Sequence, residues 1–418
     1  MNAPRFDLVV FGASGFVGQI LTRYLATYFA TAGPPPRWAI AGRSSTKLEH
    51  LKASLGGLSQ GPTMLIADTT RPEETAALCA QTRVLVSTVG PYALYGEPVI
   101  KACADHGTDY CDLTGETLWV RQMIAKYQET ARRTGARIIN CCGFDSVPSD
   151  MGVWALQQEA VRRWNVPARE VAMRVKHLKG SVSGGTVASL LHALGRAKAD
   201  PAIRKELNNP YALCPPSTQL QIQQHQITKT EFDQAFGAWI APFVMAAVNE
   251  PVVHRTNALL NQAYGAHFRY NEAWLTGPGL TGWLKAAGIT AALAAFFIAA
   301  LGQPSRSLMQ RFLLPSPGEG PSTAAQQAGS FDLRFLARSE NGLRIGLKVT
   351  GDQDPGYSAS AKMLAHAALH LAFDLVEGNT KLGRAGGFWT PASCFGAGYL
   401  ERLCKHAGLM FELHPEQP

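Results

Sequence analysis

The 418-residue sequence has few charged side chains and no long block of basic residues. Charged residues make up 17% of the chain and hydrophobic residues 46%, which is typical of a packed globular protein and excludes a disordered or fibrous one. The 39 Lys and Arg exceed the 31 Asp and Glu, but they are spread along the chain, so no nucleic-acid partner is expected. The net positive charge still suits anionic ligands and acidic lipid surfaces.

The eight cysteines form no Cys-x-x-Cys pair and no Cys/His zinc pattern, so we expect reduced thiols and no metal site. Cys141 and Cys142 lie beside a glycine at the end of a predicted strand, where small buried side chains are favoured over a reactive nucleophile. The amino terminus begins a strand pattern and has no signal-peptide shape. These absences predict a cytoplasmic protein.

The residues at the amino terminus form the most informative pattern. An apolar run at 6–11 leads into Gly12, Gly15 and Gly18, which predicts a strand, a tight turn and a helix start. Such glycines let the backbone approach a diphosphate, and a helix N-terminus offers free N–H groups to negative charge. The spacing differs from the stricter GxGxxG, and a purely structural tight connection is equally compatible with it.

The end of the second predicted strand, 37–41, indicates which dinucleotide binds. Sites that prefer NAD place Asp or Glu there to hold the ribose hydroxyls, whereas this chain has Arg43, Ser44 and, a helical turn later, Lys47. Because these side chains suit a 2′-phosphate, we predict NADP(H) as the cofactor. The alternative is that Arg43 is a solvated surface charge.

Strand and helix patterns alternate through the first third of the chain. Strands are predicted at 63–67, 84–88, 108–113 and 137–140, and helices at 97–106 and 117–134. This alternation predicts an α/β fold with a Rossmann doubly wound parallel sheet, whose ligands lie beyond the carboxyl ends of the strands. The predicted cofactor-binding residues are Gly12, Ala13, Ser14, Gly15, Phe16, Val17, Gly18, Arg43, Ser44, Lys47, Asp68, Val89, Gly90 and Pro91.

Beyond this region the pattern changes to alternating apolar and polar residues, as at 171–176, which is typical of half-buried strands. Two alternating runs at 331–337 and 343–349 flank Asn341-Gly342, a strong hairpin signal. We therefore predict an NADP-binding Rossmann domain at 1–150 and an α+β substrate domain with an antiparallel sheet at 151–354.

The segment 286–301 has no charged residue but is shorter than the roughly 20 apolar residues of a membrane span, so we expect it not to cross a membrane. Its flanks suit a peripheral membrane contact through 283–311, or an acyl tunnel. A buried core helix or a homodimer helix is the alternative. The flanking residues are Trp283, Lys285, Arg306 and Arg311, and an exposed linker is predicted at 315–322.

Polar side chains after the fourth and sixth strands are the candidates for chemistry. Reducing a double bond needs hydride at one carbon, a proton at its neighbour and an electrophile for the developing oxyanion. We predict Tyr92 and Asp145 as catalytic. In the alternative, Asp145 and Asp150 cap a helix that starts near Val147, and Tyr92 packs against the cofactor. The Tyr-x-x-x-Lys pair of short-chain dehydrogenases is absent from the sequence.

Several motifs together carry a resemblance to a known family. They lie at 10–18, 41–44, 89–92, 112–116 and 143–150, and the likeness continues at 183–186, 351–357 and 386–392. With these motifs the chain resembles the saccharopine dehydrogenase-like oxidoreductases, and most closely their branch of trans-acting enoyl reductases. The resemblance spans nearly the whole chain.

The resemblance implies a C-terminal helical segment at 355–418 that folds back on the Rossmann domain. It also implies NADPH-dependent reduction of an enoyl double bond on a small-molecule or carrier-bound polyketide or fatty acyl thioester, in the synthesis of complex lipids. A peripheral association with the plasma membrane is implied as well. Two alternatives stay open: a redox sensor that binds NADP(H) without turnover, and a dehydrogenase of another substrate class, such as amino or hydroxy acids.

Overall fold

A computed structural model of the chain forms two compact units, and each is described by itself. The first unit contains residues 1–144, 317–322 and 356–407, and the second contains 145–316, 323–355 and 408–418. The described residues are 4–31, 35–56, 61–181, 184–218, 222–302, 320–377 and 380–414, without the side chains of 185–188, 192 and 301. Arg306, Arg311 and the linker residues 315–319 lie outside the described residues.

The strands and helices are numbered in chain order. The strands are β1 (Phe6–Phe11), β2 (Trp38–Gly42), β3 (Thr63–Ile66), β4 (Thr82–Ser87), β5 (Asp109–Asp112), β6 (Arg137–Ile139), β7 (Glu170–Lys179), β8 (Glu231–Asp233), β9 (Ala238–Pro242), β10 (Arg269–Gly277), β11 (Ser330–Arg338), β12 (Arg344–Gly351), β13 (Val376–Glu377), β14 (Thr380–Lys381), β15 (Gly387–Trp389) and β16 (Leu409–His414). The helices are α1 (Phe16–Thr31), α2 (Ser45–Ala53), α3 (Pro72–Ala80), α4 (Tyr92–Tyr95), α5 (Glu97–His106), α6 (Thr117–Thr134), α7 (Val147–Trp164), α8 (Gly184–Ala199), α9 (Pro201–Leu207), α10 (Ala246–Leu259), α11 (Gly279–Leu301), α12 (Thr323–Gln327), α13 (Ser360–Leu369) and α14 (Pro391–His406).

The first unit is built on a seven-stranded sheet in the order β15-β6-β5-β4-β1-β2-β3. Every neighbouring pair of strands in it is parallel. All six residues of β1 are buried, and the one charge among them, Asp7, is paired with Arg37 at 2.7 Å. The predicted Rossmann doubly wound parallel sheet is confirmed, and the parallel arrangement brings the carboxyl ends of the strands to one edge.

Residues 356–407 complete the first unit. Helix α13 is buried along almost its whole length, and β15 extends the sheet beside β6. A buried ion pair fixes this region, because Arg137 on β6 contacts Asp109 on β5 at 2.5 Å and Lys381 on β14 contacts the same carboxylate at 2.6 Å. Removing one partner of such a buried pair is strongly destabilising.

The second unit is built on a mixed seven-stranded sheet in the order β16-β12-β11-β7-β10-β9-β8. Strands β7 and β10 are parallel, and the other neighbours are antiparallel. The predicted hairpin is confirmed, with Leu333 opposite Val349. Helix α7 packs closely on this sheet, because a Cβ atom on Gly152 would lie 2.8 Å from the Phe335 ring.

The end of the chain differs from the helical segment that the resemblance implied through residue 418. Residues Leu409–His414 form β16, which pairs antiparallel with β12 in the second unit. Leu409 is buried and Phe411 half-buried, whereas Met410 and Glu412 are exposed. Residues 409–412 therefore alternate with the period of two of a β-strand, and the alternation ends at the exposed Leu413.

Helix α11 is longer and more exposed than the sequence suggested. It covers Gly279–Leu301, 23 residues, because it begins seven residues before the apolar segment at 286–301. Among the described residues, Gly279–Ala300 is long and apolar enough to cross a membrane, with a mean hydropathy of 1.7 and 11% of the span buried. A fully buried core helix is therefore not what the structure shows. The helix is longer than the apolar segment on which the sequence argument was based, and the expectation that it does not cross a membrane stays a prediction.

Candidate cofactor and active site

The glycine turn after β1 is held by very close backbone contacts. Gly12 has φ +88°, and a Cβ atom there would meet Thr88 Oγ1 and Val89 Cγ2, each at 2.9 Å. A Cβ atom on Gly18 would lie 2.1 Å from the carbonyl oxygen of Gly12, so α1 can pack against the turn only with glycine at this position. The nearest atom to a Cβ on Gly15 would be the Gly12 carbonyl oxygen at 3.2 Å.

The N-terminus of α1 follows this turn directly. Gly15 N–H donates to the Gly12 carbonyl at 2.9 Å, and the side chain of Gln19 donates to the Ser14 carbonyl at 3.1 Å. The first N–H groups of a helix have no acceptor within the helix, and α1 has no acidic residue in its first turn. Ala13, Phe16 and Val17 belong to the same segment, which can therefore cradle a diphosphate.

The end of β2 presents basic and hydroxyl groups, as the sequence predicted. Arg43 and Lys47 are exposed, and Ser44 caps α2 by accepting the Lys47 N–H at 3.4 Å. Asp68, after β3, accepts two hydrogen bonds from Thr70, and these lower the pKa of its carboxyl, with a smaller contribution from the charge of Arg43. Arg43 and Asp68 thus lie within electrostatic range at the same edge of the sheet.

The segment after β4 lies against the glycine turn. Thr88 donates its backbone N–H to the Phe11 carbonyl at 2.9 Å and its hydroxyl to the Gly12 carbonyl at 3.1 Å. Val89 N–H donates to Ser87 Oγ at 3.3 Å, and the Gly90–Pro91 peptide bond is cis. The structure therefore brings the predicted cofactor residues Val89, Gly90 and Pro91 to the exit of β4, beside the glycine turn.

Tyr92 is buried beneath this segment. Its hydroxyl donates to the Ser87 carbonyl at 3.0 Å, and its ring packs 5.5 Å from that of Trp119. Burial, with a smaller effect of the nearby Asp112, holds the pKa of the hydroxyl well above its usual range. This geometry gives Tyr92 a packing contact with Trp119 and a hydrogen bond within the protein, which argues against a role in proton transfer.

Glu116 is a residue whose role the sequence did not reveal, although it lies in one of the family motifs. Its two carboxylate oxygens accept the N–H groups of Tyr92 at 2.9 Å and Ala93 at 3.1 Å. These donors belong to the first turn of α4, where a carboxylate satisfies N–H groups that have no partner within the helix. Glu116 therefore fixes the segment that follows β4.

Asp112 joins the exits of β5 and β6. Its carboxylate accepts hydrogen bonds from the Tyr110 hydroxyl at 2.9 Å, the Asn140 amide at 2.7 Å and the backbone N–H groups of Thr114 and Cys141, each at 3.1 Å. Burial raises its pKa to about 6, against the opposing effect of these donors. Cys141 itself has φ 62°, an uncommon conformation for a side-chain-bearing residue.

Asp145 opens the second unit, and α7 begins at Val147 as the sequence predicted. The cap expected there is not formed by Asp145, because Ser146 is the N-cap residue and makes no side-chain cap. Asp150 instead accepts the hydroxyl of Thr256 on α10. Burial, reinforced by the Glu272 carboxyl, raises the pKa of Asp145 to about 7.

Two further carboxyls lie in the interior of the second unit: Glu272 is close to Asp145, and Glu250 is close to Glu272. Glu272 on β10 accepts the Tyr270 hydroxyl at 2.6 Å and the Asn249 amide at 2.8 Å. Glu250 on α10 accepts the backbone N–H of Glu272 at 3.4 Å. Burial raises the pKa of Glu272, and burial together with the Glu272 charge raises the pKa of Glu250 to about 8. Sequence analysis missed both glutamates, each of which directly follows an asparagine in the chain.

The residues of the first unit fit NADP(H). The glycine turn is packed too tightly for a Cβ atom at Gly12 or Gly18 and leads directly into the N-terminus of α1, where a diphosphate can bind. The exposed Arg43 follows β2, at the position where folds of this kind recognise a 2′-phosphate. The predicted residues that would hold the cofactor are those at 12–18 and 89–91, with Arg43, Ser44 and Lys47. No cluster of metal-ligating side chains occurs among the described residues.

Fold and site together define an NADP(H)-dependent oxidoreductase, and comparisons with known proteins agree. Residues 8–139 match the family model of the saccharopine dehydrogenase NADP binding domain. A Mycobacterium tuberculosis protein that carries the trans-acting enoyl reductase name provisionally is 39% identical over 413 residues, with 96% of each chain covered. The trans-acting enoyl reductases of Mycobacterium bovis and Mycobacterium leprae are 35% and 34% identical, also with 96% of each chain covered.

The chain therefore belongs to the trans-acting enoyl reductase family of saccharopine dehydrogenase-like oxidoreductases. Among solved structures, apo saccharopine dehydrogenase from Saccharomyces cerevisiae is similar with a TM-score of 0.51 at 13% identity, covering 97% of this chain and 99% of that one. That likeness concerns the fold alone. The predicted family, fold class and cofactor are all confirmed.

Proposed function

We propose that this protein reduces the carbon–carbon double bond of an enoyl thioester, on a polyketide or fatty acyl chain destined for complex lipids. The observation that carries the proposal is the 34–39% identity to trans-acting enoyl reductases along 96% of the chain. The identity covers both units, so it includes the part that would select a substrate as well as the cofactor-binding part.

The chain's own residues have clear tasks in such a reaction. The turn at 12–18 binds the diphosphate through backbone N–H groups, and Arg43 selects the 2′-phosphate. The bound nicotinamide supplies hydride. Glu116 and Asp112 fix the loops after β4 and β5 through the hydrogen bonds described above, so that these loops keep one shape when ligands bind.

The test is oxidation of NADPH by the purified full chain with enoyl thioesters of increasing acyl length, free and carrier-bound, followed by mass spectrometry of the product. We expect saturated thioester in equal amount to the NADPH consumed. Cofactor binding without turnover of any thioester would instead support the redox sensor. Turnover with amino or hydroxy acids alone would support a dehydrogenase of another class.

We also propose a peripheral membrane contact through α11, in keeping with a lipid product. Four large apolar side chains of α11 are exposed: Leu280, Trp283, Leu284 and Ile298. No acidic residue lies on this helix, and an amphipathic or apolar helix with Trp and Lys near one end favours the membrane interface. Flotation with anionic vesicles tests this, with Trp283→Ser and Leu284→Ser expected to weaken binding. A homodimer and a cytoplasmic location stay predictions.

A further inference from the structure

Three carboxyl groups share one interior region of the second unit, and they differ in how they are bound. Glu272 accepts hydrogen bonds from Tyr270 and Asn249, and Glu250 from the Glu272 backbone. Asp145 accepts no hydrogen bond from any residue that the structure describes, and it alone of the three is partly exposed. Asp145 is therefore the carboxyl that remains available to a ligand.

We propose that Asp145 is the acid that supplies the proton in this reduction, and that Ser146, Asn249 and Glu272 position it. The inference rests on the proposed function and deepens it by naming the proton donor. Tyr92 is the other residue predicted as catalytic. Because its hydroxyl donates to the Ser87 carbonyl, its proton is not available for transfer to the substrate.

The step balances as follows. Hydride bonds to the carbon β to the thioester carbonyl, and the electron pair of the double bond moves towards the carbonyl oxygen. The Asp145 carboxyl then transfers its proton to the α carbon, where the new C–H bond forms as the carbonyl is restored. Asp145 is left as a carboxylate, and water returns the proton. General acids positioned in this way contribute about 10²–10⁴-fold to a rate.

A short chain of contacts fixes the residue that follows Asp145 in the sequence. This neighbour, Ser146, is buried with φ 114°, a strained conformation for a side-chain-bearing residue, and such conformations cluster at functional sites. Ser146 Oγ donates to Asn249 Oδ1 at 3.2 Å, and Asn249 Nδ2 donates to Glu272 at 2.8 Å. Asn249 thereby holds Ser146 and Glu272 in one arrangement.

The charges that face this region favour a protonated carboxyl. Glu250 faces it from α10, Tyr270 and Glu272 from β10, and Arg174 from β7. The Arg174 guanidinium already donates hydrogen bonds to the Asp233 carboxylate at 2.7 Å and to the Asn271 amide oxygen at 2.8 Å. One cation already paired with a fourth carboxylate cannot neutralise three more, and like charges that are buried together do not all ionise.

The experiment combines a direct titration with kinetics. Carbon-13 NMR of labelled aspartate carboxyls, assigned with Asp145→Asn, follows the ionisation of Asp145 in the full chain without any cofactor. The pH dependence of kcat is then measured for wild type, Asp145→Asn, Asp145→Glu and Glu272→Gln. Glu159→Gln is the matched control, because Glu159 lies on the same helix α7 and its pKa is held at about 2 by Arg162 and Arg163.

We expect Asp145 to hold its proton near neutral pH and kcat to fall on the alkaline side of the same titration. Asp145→Asn should lower kcat by about 10²–10⁴-fold with little change in the KM for NADPH, and Asp145→Glu should restore part of it. Glu272→Gln should move both the titration and the alkaline fall of kcat to lower pH. Glu159→Gln should leave both unchanged.

An Asp145 that titrates near the ordinary aspartate value of about 4 would overturn the assignment, even if a variant failed to fold. So would an Asp145→Asn enzyme that keeps the wild-type kcat and pH profile. Failure of the proposed function looks different, because the wild-type protein itself would then leave every enoyl thioester unreduced.

Discussion

The Cα of Gly18 lies so close to the Gly12 carbonyl that a Cβ atom would come within 2.1 Å of its oxygen. This contact joins the first turn of α1 to the end of β1, and it sets the shape of the loop that would hold the diphosphate. Gly12 and Gly18 thus have distinct roles, since Gly12 supplies a positive φ and Gly18 supplies room for the helix.

Gly18→Ala should weaken NADPH binding about 5- to 100-fold, since forcing a methyl group into a packed site costs about 1–3 kcal/mol and each 1.4 kcal/mol is a factor of ten in affinity. Fluorescence titration with NADPH measures this. Gly288→Ala on α11 is the control, because no atom lies within 4 Å of a Cβ there and alanine favours a helix. A Gly18→Ala protein that binds NADPH like wild type would contradict this account of the turn.

Arg43→Ala should weaken NADPH binding about tenfold or more and leave NADH binding nearly unchanged, because a hydrogen bond to a charged group contributes about 1.5–3 kcal/mol. Calorimetry with both cofactors gives the ratio. Arg71→Ala is the matched control, since Arg71 is also exposed and near Asp68 but is paired with Glu74 at 2.8 Å. If Arg43→Ala kept the wild-type preference for NADPH, the 2′-phosphate would be bound elsewhere.

Tyr92→Phe should lower the stability of the first unit by about 1–3 kcal/mol, because the buried Ser87 carbonyl loses its hydrogen bond. We expect kcat to change by less than about threefold, whereas loss of a general acid would cost about 10²-fold or more. Thermal unfolding and steady-state kinetics of the same preparation separate the two results. A large loss of kcat without a loss of stability would instead support the catalytic role for Tyr92 that the sequence predicted.

Glu250→Gln should change how stability depends on pH. Glu250 has a folded pKa of about 8, above the unfolded value of about 4.3, so the folded state holds its proton more tightly. Protonation of Glu250 contributes its full amount to the free energy of unfolding below about pH 4. This contribution is lost as the pH rises towards about 8, by up to about 1.4 kcal/mol per pH unit. Unfolding midpoints of wild type and Glu250→Gln across this range should therefore diverge as pH rises, in favour of the variant.

Glu159→Gln should change the pH dependence of stability in the opposite direction. The pKa of Glu159 in the folded protein, about 2, lies below its unfolded value. The stability that Glu159 contributes is therefore present above the unfolded pKa and is lost as the pH falls towards about 2. The variant should lose stability relative to wild type near neutral pH. If both variants followed the same trend with pH, burial would not be what separates the two glutamates.

Much of the fold follows from local sequence patterns. The apolar run at 6–11 followed by glycines, and the alternating runs on either side of Asn341-Gly342, each specify an element through the residues within it. The bounds of α5 and α6 match the predicted 97–106 and 117–134. The glycine turn was predictable for the same reason, because Gly12, Gly15 and Gly18 all lie within one segment of seven residues.

The carboxyl cluster was not predictable in this way. Asp145, Glu250 and Glu272 come from three separate segments, and only the folded chain brings them to one region where burial changes their ionisation. The start of α11 was missed because Lys285 interrupts the apolar run, although a helix tolerates one lysine at its surface. The roles of such residues depend on contacts between distant parts of the chain.

The central claim is tested most directly by running the reaction in deuterated water with NADPH and an enoyl thioester that the chain accepts. The account predicts that each NADPH consumed yields one saturated thioester carrying a single deuterium, at the carbon next to the carbonyl, because hydride comes from the cofactor and the proton exchanges with solvent. Tight NADPH binding without any saturated product, across free and carrier-bound thioesters, would contradict it.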